Sequence, residues 1–259
     1  MRTDPRSAYD ALAPYYDRFT DGYAHPKLVG ALAELARDHG LSGDRALDVA
    51  CGTGKSSEPL AGLGYEVSGC DISPQMVERA QERLGSRRTV FVADMRSLPD
   101  VGPFDLITCL DDSVNYLLSV GDLRRSLRSM AARLRPGGQV IFDTNTIGTY
   151  RHGFSADFVM DSGDTLFCWR GRTASNAPAG SVCEATLEVF ERRDHGAVDR
   201  VTSAQRQRHH APDAVREAIA TAGLRLRAVR GMLPGGALSG TPNEEVQPKL
   251  VYLAERPGT

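Results

Sequence analysis

Between residues 45 and 143 the chain repeats one pattern. RALDVA, YEVSGCD, TVFVAD, FDLITCL and GQVIFD are short β-rich runs, and each precedes or follows an amphipathic helical segment. Strand, helix and strand at this spacing require right-handed crossovers, so the expected core is α/β, a doubly wound and mostly parallel seven-stranded sheet. Leu28, Val29, Leu32 and Leu35 recur at i, i+1, i+4 and i+7, marking a helix over 26–38 that ends at Gly40. A second helix, over 121–134, must stop at Arg135-Pro136-Gly137-Gly138, because proline cannot extend it and glycine turns the chain.

After Asp143 the pattern changes. Cys183, Ala185, Leu187 and Val189 alternate with Glu184, Thr186 and Glu188, which predicts antiparallel strands lying over something, with RRDHGAVDR as a hairpin turn. From Pro212 the α/β texture returns: a helix to Ala222, a strand over 224–230 and a last strand, LVYLAE. The expected organisation is a core with an N-terminal helical cap over 1–144, an antiparallel β lid over 145–210, and the rest of the core over 211–259.

The 259 residues can bury a sizeable core. A net charge of −2, with acids and bases mixed along the chain, supplies neither a basic face for nucleic acid nor a polybasic helix for a membrane. The expected partner is a small molecule; a homo-oligomer would pair through the β lid. MRTDPRSAYD lacks a targeting pattern, so a cytoplasmic location is expected. Five cysteines without CxxC or Cys/His ligand spacing read as small buried hydrophobes, and no metal site is expected.

The turn in ALDVACGTGKS decides what the core can hold. A P-loop needs glycine where Val49 stands, so Lys55-Ser56 reads as the first turn of a helix. A dinucleotide site needs a third glycine where Ser57 stands. Asp71 ends the second strand, where a carboxylate can accept both ribose hydroxyls. Asp94 ends the third, within reach of an adenine amino group.

LDVACGTG, GCDIS, VADM, FDLITCLDD and LRPGG, in that order, resemble the class I S-adenosylmethionine-dependent methyltransferases. The subgroup most similar acts on small-molecule amines or hydroxyls, including aminosugar and amino acid N-methyltransferases. The resemblance implies S-adenosyl-L-methionine as cofactor, methyl transfer to an amine before a hydroxyl, and bacterial specialised metabolism as the setting. It also implies site residues. Asp48, Ala50, Gly52, Thr53 and Gly54 would shape the methionine pocket, and Asp71, with Ile72 and Met76 after it, would hold the ribose. Asp94 and Met95 would read adenine, Leu110 would lie near the sulfonium, and Tyr16 would close on the cofactor, a place that Tyr15 could equally fill.

Methyl transfer needs positioning above all, worth roughly 7–11 kcal/mol, and a base contributes less. The candidate bases are His209 and His210 at the end of VTSAQRQRHH, with His152 third; His25, His39 and His195 read as surface histidines. In DDSVNYL, Asp111 and Asp112 can orient an ammonium or take its proton, while Asn115 and Tyr116 can bond a substrate hydroxyl. Alternatively Asp112 or Ser113 caps the next helix. Trp169 and Phe167 can wall a substrate pocket, with Tyr150 beside it, and Arg151, Arg170, Arg206 and Arg208 can bind an anionic group. The competing readings are a different transfer or cyclisation with the same cofactor, a non-catalytic cofactor-binding module, and a dinucleotide-dependent dehydrogenase.

Overall fold

The computed structural model describes residues 4–258. Residues 1–3, where the stretch read for targeting begins, residue 259 and the His195 side chain lie outside the described residues. Helices α1 (Pro5–Leu12), α2 (Tyr16–Phe19) and α3 (His25–Asp38) come first. Strand β1 (Arg45–Val49), helix α4 (Ser57–Gly62), strand β2 (Glu66–Asp71), helix α5 (Pro74–Leu84) and strands β3 (Val90–Val92) and β4 (Phe104–Cys109) follow. Helix α6 (Val120–Arg133) leads into β5 (Leu134–Asn145), and α7 (Ile147–His152) leaves the core. Strands β6 (Asp157–Ser162), β7 (Thr165–Gly171), β8 (Val182–Arg192) and β9 (Val198–Arg208) form a second sheet. Helix α8 (Pro212–Thr221) and strands β10 (Arg225–Met232), β11 (Leu238–Ser239) and β12 (Lys249–Glu255) return to the first.

The main sheet runs β11-β10-β12-β5-β4-β1-β2-β3. Pairings from β3 through β5 are parallel, whereas β12, β10 and β11 pair antiparallel. The sheet has eight strands where seven were expected. The addition is two-residue β11, paired with the end of β10, too short to carry an alternating pattern in the sequence.

The pleat explains how one sheet buries two faces. Ala46, Leu106, Ile141, Val251 and Leu253 meet Leu28, Leu32 and Leu60 of α3 and α4. Leu47, Ile107, Phe142 and Tyr252 meet Leu123, Leu127, Val215 and Ile219 of α6 and α8 on the other side. Caps fix where the helices begin: Ser73 accepts the Met76 N–H at 3.2 Å, and Ser119 accepts that of Asp122 at 3.0 Å.

The second sheet is antiparallel, β6-β7-β8-β9, and lies over the N-terminal helices. Phe167, Leu187 and Val189 pack on Leu12 and Tyr15, while Cys183 and Ala185 pack on Tyr150 and Phe154. Since β1 pairs with β2 on one side and β4 on the other, the loops after β1 and β4 diverge, which opens a crevice at their carboxyl ends.

Candidate active site

The glycine turn after β1 owes its shape to left-handed backbone at Ala50 (φ 57°), Gly52 (φ 54°) and Gly54 (φ 83°). The two glycines adopt this freely, whereas Ala50 is strained. Asp48 anchors the turn from behind, accepting hydrogen bonds from Ser56 (2.8 Å), Ser57 (2.5 Å) and Thr108 (2.8 Å). Burial pushes the Asp48 carboxyl up, opposed by those hydroxyls. The residue standing where a dinucleotide fold wants glycine, Ser57, is thus spent on the β1 carboxylate.

In front of the turn a narrow cavity is lined by Ala50, Cys51, Gly52, Thr53, Asp71 and Leu110. It opens past Ile72 and Met95 into a lobe of about 360 Å³ between Ala93, Asp94, Leu117 and Leu118. Asp71 accepts the N–H of Gly52 at 3.0 Å and of Ser73 at 2.9 Å; burial nevertheless lifts its pKa to about 6. Asp94 is gripped by Arg96, whose Nε lies 3.0 Å from both carboxylate oxygens. Burial would raise the Asp94 carboxyl, but Arg96 outweighs it and holds it low. A slot walled by Ala93, Leu117 and Leu118 and edged by charged groups including Asp94, joined to a glycine-walled neck beside Asp71, has room for an adenosine carrying a short polar chain.

On the other side of the neck lies a cavity of about 300 Å³ beneath the second sheet. Tyr9, Tyr16, Asp111 and Tyr116 line both. Tyr9 donates to the Tyr116 hydroxyl at 2.8 Å, and Tyr116 in turn donates to Gln205. Burial raises the phenols of Tyr9, Tyr16 and Tyr116 well above the ordinary value, so they stay protonated and act as donors rather than bases.

The acidic edge of this cavity is built on strained backbone. Asp111 (φ 56°) and Asp112 (φ 54°) are consecutive left-handed residues, and Asp143 on β5 holds both by accepting their N–H groups at 2.8 and 2.6 Å. Lys249 Nζ lies 2.7 Å from Asp112, 3.5 Å from Asp143 and 3.7 Å from Asp111. His25 Nε2 lies 2.7 Å from Asp111. Burial would push the Lys249 amine down, but Asp112, Asp143 and Asp111 outweigh it and hold it charged. Burial likewise would raise Asp111, but His25 and Lys249 keep it low. Three carboxylates therefore face one ammonium and one imidazole.

Of the residues singled out in the sequence, Ala50, Gly52, Thr53, Asp71, Ile72, Met95, Leu110 and Tyr16 line the neck, and Asp94 lines the lobe. Tyr15 instead packs on the lid, its hydroxyl 3.3 Å from Glu191. Gly54 faces helix α5, with 3.4 Å between a β-carbon there and Ala80, and Met76 is fully buried beneath the same helix. Neither touches the cavities described.

Several expectations need correction. His209 is fully buried, its Nδ1 accepting the Gly180 N–H at 3.0 Å and its Nε2 2.9 Å from Glu244. His210 is buried, and desolvation pulls its pKa to about 4 against the opposing backbone groups of Leu117 and Val114. Both lie past the end of β9, where strand alternation no longer dictates direction, and neither lines the joined cavities. His152 bonds the Gly148 carbonyl of its own helix at 2.8 Å, and His25, read as a surface residue, is buried. Asn115 spans lid and core, donating to the Arg208 carbonyl at 2.8 Å and accepting the Asn145 N–H at 3.0 Å. Tyr150 is fully buried and donates to Gln207 at 3.0 Å. Asp112 makes no capping hydrogen bond; its carboxylate accepts from Gln207 at 2.6 Å instead.

Of the aromatics, Trp169 lines the cavity beneath the second sheet, stacked on Phe158 at 5.8 Å, whereas Phe167 is fully buried within the lid. The arginines are spent elsewhere. Arg151 reaches Ala177 at 3.1 Å, Arg170 pairs with Glu188 at 2.8 Å, Arg206 with Glu184 at 3.0 Å, and Arg208 reaches Leu118 at 3.4 Å. Only Arg206 among them borders a described cavity, the adenosine-shaped lobe. The sequence reading missed Tyr9, Gln205, Gln207 and Lys249. A signal existed for the glutamines, since Gln205 and Gln207 share one face of a predicted lid strand.

The strand order, the crevice and its carboxylates define a class I methyltransferase fold. Residues 46–138 match the family described as Methyltransferase domain, so the chain carries such a domain. A protein of Geobacillus sp. (strain WCH70), named no further than as a methyltransferase, is 27% identical over 83% of this chain and 88% of its own length. The dTDP-4-amino-2,3,4,6-tetradeoxy-D-glucose N,N-dimethyltransferase of Saccharopolyspora spinosa is 36% identical over 44% of this chain and 45% of its own. Among solved structures, an S-adenosylmethionine-dependent methyltransferase from Clostridium acetobutylicum ATCC 824 superposes with a TM-score of 0.81. It covers 96% of this chain and 99% of its own at 23% identity, which speaks for the fold.

Proposed function

We propose that the protein is an S-adenosyl-L-methionine-dependent methyltransferase whose acceptor is the amine of a small, uncharged-bodied molecule. The observation that carries this reading is the shared wall: Asp111, with Tyr9, Tyr16 and Tyr116, borders both the cofactor neck and the acceptor cavity. When bound, the cofactor supplies an electrophilic methyl group on its sulfonium. Asp71 would hold its ribose, Ile72, Met95 and Leu117 its adenine, and Ala50 to Thr53 its amino-acid end.

The acceptor cavity does the rest. Asp111 and Asp112 attract and orient the acceptor nitrogen, which attacks through its lone pair as the free amine, its proton having gone to solvent. The protonated phenols orient polar substituents, and the lid covering the cavity excludes water. No arginine lines this cavity, although all but three of the 31 basic residues are arginines, so its chemistry suits an acceptor without an anionic group there. Tyr, Gln and Asn side chains beside Phe158 and Trp169 suit a hydroxylated ring. The Saccharopolyspora relative's name gives an aminosugar borne on a nucleoside diphosphate; it supports an aminosugar-like amine here, without that anionic carrier, and with it a role in bacterial specialised metabolism.

The test is label transfer from methyl-labelled S-adenosylmethionine to matched pairs of cyclic compounds differing only in bearing an amine or a hydroxyl. Label on the amine member alone is expected. Label on hydroxyls alone would remove the amine reading and leave an O-methyltransferase.

A further inference from the structure

Lys249 is a wall of more than one cavity. A further cavity of about 310 Å³ lies between the turn leading into α3, at Gly22, Tyr23, Ala24 and His25, and the segment Met232–Gly236 after β10. Tyr23, Asp111, Pro248 and Lys249 line both cavities, so the two adjoin across the acidic cluster. The far walls are apolar: Leu28, Met232, Leu233 and Pro234. The floor is closely packed: Gly236, at φ 83°, leaves only 3.0 Å between a β-carbon there and the Leu28 backbone nitrogen. Its rim carries Tyr23 and Leu233, 50% and 38% exposed, which water would cover unless something apolar did.

We infer that this cavity is a second lobe of the acceptor site, taking an uncharged, apolar arm carried beyond the amine, with Tyr23 and the Lys249–Asp111 pair at the junction. The inference rests on the amine reading above. The charged groups sit at the junction and the hydrocarbon walls beyond it, so an acceptor anchored by nitrogen at Asp111 presents its arm to surfaces that offer it only burial. Each methylene buried there strengthens binding roughly fourfold. The site thus distinguishes amines by what they carry away from the transferred methyl, a selectivity separate from that of the aromatic wall under the lid.

The chain has one tryptophan, Trp169, and it lines the acceptor cavity, so its fluorescence reports occupancy. The probes are n-butylamine and n-octylamine, titrated against the wild type and Leu233→Gln. Octylamine is expected to bind at least tenfold tighter than butylamine, and Leu233→Gln is expected to remove at least threefold of that gain while leaving butylamine within twofold. Octylamine binding no tighter than butylamine would overturn the second lobe while sparing the amine reading. A gain that survives Leu233→Gln would place the arm elsewhere and overturn the lobe as well. If neither amine perturbs Trp169, the amine reading falls and takes the lobe with it.

Discussion

Single residues here do work that their neighbours in sequence do not announce. Asp71 is the clearest case, because its burial and its role pull its ionisation in opposite directions. Burial lifts the carboxyl to about 6, whereas ribose hydroxyls donating to it would favour the charged form. Cofactor affinity is therefore expected to be constant above about pH 6 and to weaken toward tenfold per pH unit below it; Asp71→Asn should weaken binding at least tenfold and abolish that slope. Calorimetric titration between pH 5 and 8 checks both, and a wild-type affinity flat across the range would mean the ribose is held elsewhere. Stability carries the opposite sign. A carboxyl raised above its unfolded value favours the folded state when protonated, so its contribution is lost as pH rises from the ordinary carboxylate range through about 6. Asp71 was legible because a strand-end acid has one place to go. His209 and His210 were not: past Arg208 the chain leaves the sheet, and only tertiary contacts with Gly180 and Glu244 decide where an imidazole lies.

At the level of elements, strand β9 couples the lid to the acceptor site. Gln207 accepts from Tyr150 and from Asn145, both at 3.0 Å, and donates to Asp112 at 2.6 Å, so one buried amide ties α7, β5 and the strained aspartates to the lid. Two strand positions earlier, Gln205 closes the Tyr9–Tyr116 chain, while Ser203 donates to the Ala8 carbonyl of α1 at 3.2 Å. Alternation alone put these residues on one face, and β9 keeps that register because a one-residue slip would expose all of them. Replacing Gln207 with leucine leaves three partners short of a hydrogen bond, at about 1–3 kcal/mol for a buried group left unpaired. The expected result is faster amide exchange across β8 and β9 and a raised acceptor KM, with cofactor affinity within twofold. A change in cofactor affinity as large as that in KM would mean the lid reaches the neck as well. Strand β11 marks the limit of reading by pattern, since two residues cannot display a period.

The whole molecule closes on itself through its N-terminus. Asp17 accepts from Thr53 at 2.5 Å and pairs with Arg83, and Lys55 Nζ donates to the Thr20 carbonyl at 3.0 Å, so α2 is strapped across the glycine turn. Helix α1 then carries the lid through Leu12, and the lid returns to the core through Asn115 and Gln207. Lys55, which a P-loop would aim at phosphate, is the buckle of that strap. Such a closed circuit predicts that core, strap and lid unfold together, and that a ligand in the neck stabilises all three. At a hundredfold excess over its dissociation constant, S-adenosylmethionine should add about 2.7 kcal/mol. For a chain of this size that raises Tm by roughly 5–10 °C. Scanning calorimetry should show one transition moving as a unit. Lys55→Met, which loosens the strap without entering the acceptor cavity, should shrink the ligand-induced shift while keeping a single peak. Two peaks, of which only one moves with ligand, would instead mean that the lid melts independently and that the contacts of Leu12 and Tyr15 do not bind it to the core.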